Sequence, residues 1–351
     1  MRQRPSQTRK TAVLHNNAEQ HTIVAIIPLY NGARFIEESV RSVMAQTRQP
    51  DEFIVVDDGS TDNGQQVVHR LMQEFPLLRL EAKSNGGQSS ARNLGVKRST
   101  GSLIALLDQD DAWYPNHLEE LLKPFLKRRP NALGWSYSDL DEVDEDGSVV
   151  SKKILAETGN EHPKRRLTSC LGRDMFVLPS ASLIARTAFE EVGGFDERLS
   201  GYEDDDLFLR LFRRGYDNVF VKKALSKWRI YMGSTSYSPR MAKSRMIYAS
   251  KLLEMYPDNP KQGRHYARDL IAPRFVEQVI GDLFRALRAG RSDIGGRVAA
   301  DLELLIPHLP LRRRVLFASA LPVLRQEGAT KTAYRLRVLL RPFLARTSFF
   351  H

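Results

Sequence analysis

The chain has 351 residues, 42% hydrophobic and 27% charged, with a net charge of +11. These proportions fit a globular protein of one large or two small domains. One cysteine, Cys170, excludes an internal disulfide and points to a reducing compartment. No apolar run approaches the ~20 residues that a membrane-crossing helix needs. Residues 1–21 hold Arg2, Arg4, Arg9 and Lys10 without an apolar core, so they read as a disordered tail and not as a secretory signal. The charge is unevenly spread. From Arg240 to His351 there are 21 Lys and Arg against 9 Asp and Glu, while residues 1–239 are close to neutral. Such a basic segment suits anionic partners: nucleic acid, anionic lipid or phosphorylated acceptors.

Thr22 to Pro28 is a β-branched run that reads as a buried strand, closed by the turn Tyr30-Asn31-Gly32. Ala33 to Gln46 follows, with Phe35, Ile36, Val40, Val43 and Met44 at helical spacing. Glu52 to Val56 is a second strand and ends in Asp57-Asp58-Gly59-Ser60. The pattern predicts a helix over Asn63 to Phe75 and a third strand over Leu77 to Glu81. Asn85-Gly86-Gly87 is a Gly-rich loop that opens a helix at Ala91 to Arg98, and Leu103 to Leu107 is a fourth strand. This alternation predicts an α/β fold with a mostly parallel central sheet and helices on both faces.

Beyond it, Trp135 to Leu140 reads as a strand and Asp144 to Gly147 as an acidic turn. Residues 151–170, with Lys164-Arg165-Arg166, read as a surface loop. Ser180 to Arg186 is a strand, Thr187 to Val192 a short helix, and Glu203 to Arg214 an amphipathic helix with an acidic first turn. After Pro239 the chain becomes helical and basic, with apolar clusters at Val315-Leu316-Phe317 and Val338-Leu339-Leu340. The expected division is a tail at 1–21, an α/β domain at 22–239 and a helical basic domain at 240–351.

The most informative stretch is Leu106-Leu107-Asp108-Gln109-Asp110-Asp111. A core strand delivers three carboxylates at its carboxyl end, where open α/β sheets bind ligands. Packed carboxylates repel unless a cation neutralises them, and hard oxygen donors suit Mg2+ or Mn2+ carrying a phosphorylated substrate. A solvated acidic turn is the plainer alternative. Asp57 and Asp58 end a second strand in the same way and suit hydrogen bonds from a base or ribose. Gly87 lets the backbone come close to a ligand, and Arg92 suits a phosphate. The acids of Tyr202-Glu203-Asp204-Asp205-Asp206 serve either to cap their helix or to supply a general base; only one or two of them can face one cleft. Trp113 and Tyr114 are expected to pack beneath the acidic loop. No GxGxxG follows the first strand and no Walker motif is present, which disfavours a dinucleotide or a P-loop site.

Six segments in order, IPLYNGARFIEESVRSVMAQT, FIVVDDGSTDN, NGGQSSARNLGV, LIALLDQDDAWYP, GGFDERLS and YEDDDLFLRLFRRG, resemble the family-2 glycosyltransferases of the GT-A fold. The likeness runs from Thr22 to Ser236. It implies that Pro28, Tyr30 and Asp58, with Asp57 beside them, hold the nucleotide base, usually uracil. It implies that Asp108, Asp110 and Asp111 form the DxD region that binds ribose and a divalent cation, with Asp110 and Asp111 on the metal. It implies Asp204, preceded by Glu203, as the catalytic base of an inverting direct displacement. Tyr231 stands where many relatives carry a histidine, leaving Arg229 and the backbone near Gly233 to approach the diphosphate.

The expected protein is therefore an inverting glycosyltransferase that uses Mn2+ or Mg2+. It would move a sugar from a nucleotide-diphosphate donor, UDP-linked, to a hydroxyl of a glycan or lipid-linked acceptor in cell-surface polysaccharide synthesis. A nucleotide-sugar-binding protein without catalysis is the alternative. The expected location is cytoplasmic, with peripheral contact between the basic C-terminal region and the inner face of a membrane. Nucleic acid is not an expected partner, since zinc-ligand spacing and RNA-binding signatures are absent.

Overall fold

The computed structural model describes residues 21–127, 132–231, 239–289 and 294–325. The tail at 1–20, Gly233, Ser234 and the cluster Val338-Leu339-Leu340 lie outside them.

The first half alternates as its apolar pattern requires. Strand β1 (Ile23–Leu29) is buried along its whole length and leads to helix α1 (Ile36–Met44). Strand β2 (Glu52–Asp57), helix α2 (Gly64–Glu74), strand β3 (Leu78–Ala82), helix α3 (Gln88–Lys97) and strand β4 (Leu103–Leu106) follow. Strands with both faces covered read as continuous apolar runs, and β1, β2 and β4 do. The order β3-β2-β1-β4 is parallel throughout, so the carboxyl ends of β1, β2 and β4 emerge at one edge. Pro28 fits inside β1 for a specific reason. The Ile26 carbonyl accepts from Leu107 N–H, so even-numbered residues of β1 face β4. That pairing ends at Ile26↔Leu106, and the missing proline amide interrupts no ladder.

The second half of the sheet is mixed. Strand β5 (Ala112–Trp113), helix α4 (His117–Lys127) and the long strand β6 (Leu133–Val143) precede strand β7 (Val149–Ser151). Residues 151–170, expected as loop, contain the short helix α5 (Ile154–Glu157) and most of α6 (Leu167–Gly172). Strand β8 (Ser182–Ala185), helix α7 (Arg186–Glu191), helix α8 (Glu203–Arg214) and strand β9 (Asp217–Arg229) complete this half. The sheet continues from β4 through β8, β6 and β9 to β5. In it β8 runs antiparallel to β4 and β6, β9 runs parallel to β6, and β5 is antiparallel to β9. The fold is thus α/β with a parallel half and a mixed half beside it.

The chain separates into two compact units. One comprises the described residues of Met1–Arg165 and Met175–Met241; the other, those of Arg166–Asp174 and Ala242–His351. The second unit is helical, with α9 (Pro239–Met255) from Ala242 onward, α10 (Ala272–Arg288), α11 (Gly295–Leu305) and α12 (Leu311–Leu324). Its core includes Tyr248, Ile271, Phe275, Val279 and Leu302. No helix among the described residues is long and apolar enough to cross a membrane.

Candidate active site at the strand ends

Two strand tips are tied together first. The Gln109 side chain accepts from Tyr30 N–H at 2.7 Å and donates to the Tyr30 carbonyl at 3.1 Å, extending the sheet pairing past the end of β4. Ser39 Oγ lies 2.7 Å from the carbonyls of both Gln109 and Asp111. The Tyr30 ring stays exposed, at 41%.

The acids that end β2 face inward. Asp57 accepts from the backbone of Gly59 and Ser60 at 3.2 Å and from Gln65 Nε2 at 2.5 Å, so its carboxylate shapes its own turn. Asp58, 2% exposed, accepts from Gly86 N–H at 2.9 Å, Gly87 N–H at 2.7 Å and Lys83 Nζ at 2.6 Å. It therefore shapes the Gly-rich loop. Gly87 has φ +91°, a conformation that glycine adopts without strain, and it opens α3.

Arg92 is the node of the site. It is 1% exposed, and its two terminal nitrogens reach acids from different parts of the chain. Nη2 lies 2.5 Å from Asp108 Oδ1, past the end of β4, and Nη1 lies 3.1 Å from Glu203 Oε1, on α8. Gln88 Nε2 donates to the same Asp108 oxygen at 2.8 Å, and the Phe195 ring lies 5.2 Å from the guanidinium. Arg92, expected at a phosphate, is held here between two carboxylates.

The four acids of α8 divide by burial. Glu203 accepts from Arg92 and, through Oε2, from Gly201 N–H at 2.6 Å. Asp205 accepts from Met175 N–H at 2.7 Å, and Asp206 pairs with Arg210 at 2.7 Å. Those three are buried, and only Asp204 is partly exposed. Glu203, expected beside the base, is a structural brace.

Past the end of β4, Asp111 is buried and accepts from Arg229 N–H at 3.0 Å and from the Ser180 hydroxyl. Burial, then the charges of Asp110 and Asp108, hold it well above the usual carboxylate range. Asp110 is raised to about 6, first by burial and then by Asp108, against the Tyr231 hydroxyl and Arg229, which favour its charge. Arg229 donates through Nε to the Asp110 carbonyl at 2.8 Å and through Nη1 to the carbonyls of Asp144 and Glu145. Its Nη2 meets Glu38 at 2.5 Å. Four of its five donors are used, so Arg229, expected near the diphosphate, ties two loops to helix α1.

Asp108 and Asp110 are the partly exposed oxygen donors of this cluster. Among the described residues no group of three or more His, Cys, Asp or Glu is placed to hold a metal by itself. Asp108, already countered by Arg92, and Asp110 are hard oxygen donors of the kind that suit a divalent cation taking its remaining ligands from water and substrate phosphate. Asp111, expected on the metal, is buried and accepts from Arg229 N–H. Trp113 packs as expected: its ring stacks on His117 at 4.4 Å and Nε1 donates to the Ser180 carbonyl at 2.8 Å.

Three residues that organise the site were not foreseen in the sequence. Gln109 lies inside the acidic motif, so its position was a signal. Ser180, whose Oγ accepts from Asp108 N–H at 3.1 Å, and Lys83 had none, because these partners are 72 and 25 residues away.

Fold and strand-end acids together define a GT-A type α/β protein. Residues 24–193 match the family model Glycosyl transferase family 2, and this stretch of the chain belongs to that family. The chain is 32% identical over 242 residues to an uncharacterized glycosyltransferase of Rickettsia conorii, covering 67% of this chain and 39% of the relative. It is 33% identical over 189 residues to the chondroitin synthase of Pasteurella multocida, covering 54% of this chain and 18% of that one. It thus spans at most about two fifths of the first curated relatives it matches. The fold is similar to S. aureus TarS 1-349 in complex with UDP-GlcNAc, with TM-score 0.63, 18% identity and 94% of each chain covered. It is also similar to the Pyrobaculum calidifontis mannosyltransferase PcManGT in complex with GDP-Man and Mn2+, with TM-score 0.55 and 16% identity, covering 96% of this chain and 92% of that one.

Proposed function

We propose that this protein transfers a sugar from a nucleotide-diphosphate donor to an acceptor hydroxyl with inversion. The observation that carries the reading is the Arg92 node, which braces Asp108 and the first turn of α8 on one buried guanidinium. Acids from two distant segments are thereby held on one guanidinium, and Asp204 is the one acid of α8 that is partly exposed. The names of relatives that bind UDP-GlcNAc or GDP-Man support a nucleotide-sugar donor.

In this reading the nucleoside lies against Tyr30 and the Gly86-Gly87 backbone that Asp58 shapes. Asp108 and Asp110 hold a divalent cation, Mn2+ or Mg2+, which when bound offsets the negative charge that develops on the departing diphosphate. The acceptor oxygen attacks the anomeric carbon from the face opposite the diphosphate. Asp204 takes the hydroxyl proton as the new C–O bond forms and the bond to the diphosphate breaks. A direct displacement of this kind passes through no covalent glycosyl-enzyme intermediate. The acceptor we assign is a glycan or lipid-linked hydroxyl, in keeping with the polysaccharide synthases among the relatives.

A thermal-shift screen of nucleotide sugars, with and without Mn2+ or Mg2+, tests this. A donor present at 100 times its Kd stabilises the folded state by about 2.7 kcal/mol. One nucleotide class should raise the unfolding midpoint, and more so with the cation. No shift with any nucleotide sugar would reject the reading.

A further inference from the structure

We propose that Gln109 is a positioning residue for the nucleoside: its side-chain amide clasps the tip of β1 and so fixes where the Tyr30 ring stands. The inference rests on the seat assigned to the nucleoside above and deepens it.

Strand β1 loses its neighbour on one side before it loses the other. Towards β2 its pairing runs on to Asp58, whose N–H donates to the Leu29 carbonyl at 2.8 Å. Towards β4 the backbone pairing stops at the Ile26 carbonyl, which accepts from Leu107 N–H at 3.0 Å. Asp108 then gives its N–H to the Ser180 hydroxyl at 3.1 Å. Pro28 has no N–H, and Tyr30, the next residue facing that side, has no strand beside it. The Gln109 side chain takes the strand's place. Tyr30 N–H donates to Oε1 at 2.7 Å, and Nε2 donates to the Tyr30 carbonyl at 3.1 Å. A primary amide carries acceptor and donor together, so it satisfies both backbone groups at once. The chain leaves β1 for β2 and returns to β4 on the opposite side, so the gap between the tips of β1 and β4 is where open α/β sheets take ligands.

The surroundings are cut to this clasp. A Cβ on Gly32 would come within 2.4 Å of Gln109 Oε1, so glycine leaves the amide its room. The Gln109 carbonyl is itself anchored, accepting from Ser39 Oγ at 2.7 Å. The far flank of the turn is held separately: Asn31 N–H donates to Ser60 Oγ at 3.0 Å, and Asn31 Oδ1 accepts from Thr61 N–H at 2.8 Å. The backbone is thus fixed on both flanks while the Tyr30 ring stays exposed. A ring on a fixed backbone gives up less freedom when a base stacks on it than one on a loose turn.

The test is titration calorimetry of UMP and GMP on wild type, Gln109→Met, Tyr30→Ala and the double variant. Tyr30→Ala should weaken the preferred nucleotide about fivefold or more, the usual worth of one base on an aromatic ring. Gln109→Met keeps the length of the side chain without its hydrogen bonds and should weaken the same nucleotide by at least about threefold. Because Gln109 acts through the ring, adding Gln109→Met to Tyr30→Ala should cost less than about twofold more. A purely structural role would give losses that multiply. Gly32→Ala pushes the amide aside without altering it, so it should match Gln109→Met, and it replaces that variant in the cycle if Gln109→Met folds poorly. Wild-type affinity in Gln109→Met, or multiplying losses in the double variant, would overturn the inference. Wild type binding neither nucleotide, or Tyr30→Ala binding as well as wild type, would overturn the nucleoside seat and this inference with it.

Discussion

A single guanidinium decides which acids of this site are structural. Arg92 is buried, and removing it leaves Asp108 and Glu203 facing one another without a counter-charge. Breaking a buried ion pair by deleting one partner costs about 3–5 kcal/mol. Arg92→Met should lower unfolding stability in urea by that amount, and Arg92→Lys should not rescue it, because one ammonium cannot span both carboxylates. A loss below about 1 kcal/mol would mean that the two acids do not depend on Arg92. Which residue types matter was legible in the sequence: paired acids at strand ends and an acidic helix start. Which of them are available was not. Arg92 meets partners 16 and 111 residues away, and Asp58 is closed by loop amides 28 and 29 residues on. Pairings over such separations are set by the assembled sheet and leave no local pattern.

At the scale of elements, the parallel half was legible because strands covered on both faces must be continuously apolar. Leu103 to Leu107 and Glu52 to Val56 stand out for that reason. Strand β9 did not. It contains Lys222, Lys223 and Lys227, is half-exposed over much of its length, and pairs with β6 across register shifts near Ser138 and Asp139. Each shift moves the buried side chains to the other parity, so no period-two pattern survives. Helix α3 lies close on the sheet through Gly95, where an added Cβ would come within 2.5 Å of Ile26 Cγ2. Overpacking of about 1–3 kcal/mol should outweigh the ~1 kcal/mol that Ala gains over Gly in a helix. Gly95→Ala should therefore lower the unfolding midpoint, and a raised midpoint would show that α3 has room to move.

Helix α4 opens on a buried titratable group. Desolvation lowers His117 to about 3, despite its hydrogen bond to the Leu225 carbonyl, which opposes the shift. The unfolded chain takes up a proton near pH 6.5, whereas the folded chain refuses it until about pH 3. The stability from this group is thus complete above pH 6.5 and falls as pH drops from there towards 3. Between pH 7 and 5 the loss is about 2 kcal/mol. Denaturation curves of wild type should show a steeper acid decline than those of His117→Asn over that interval. Parallel declines would place a protonated His117 in the folded state.

At the scale of the whole molecule, the chain does not divide at one point in the sequence. The helical segment was expected to begin at residue 240, yet Arg166–Asp174 also groups with the second unit. The tie is visible in Arg274, which donates to the Cys170 carbonyl at 3.3 Å, and in Gly172, which lies against Leu270. The nine residues from Arg166 carry no signal of this, since their partners lie about a hundred positions further on. Arg274→Ala should speed amide hydrogen exchange across 166–174 and leave β1, β2 and β4 unchanged; equal exchange in wild type and variant would separate that segment from the unit.

The central claim is that the strand-end acids receive the donor while Asp204 acts only on the acceptor proton. Calorimetry of the donor and a transfer assay on the same Asp204→Asn preparation test it most directly. The account predicts donor affinity within about twofold of wild type and transfer slower by roughly 10²–10⁴-fold. Unchanged transfer, or donor binding lost together with transfer, would contradict it.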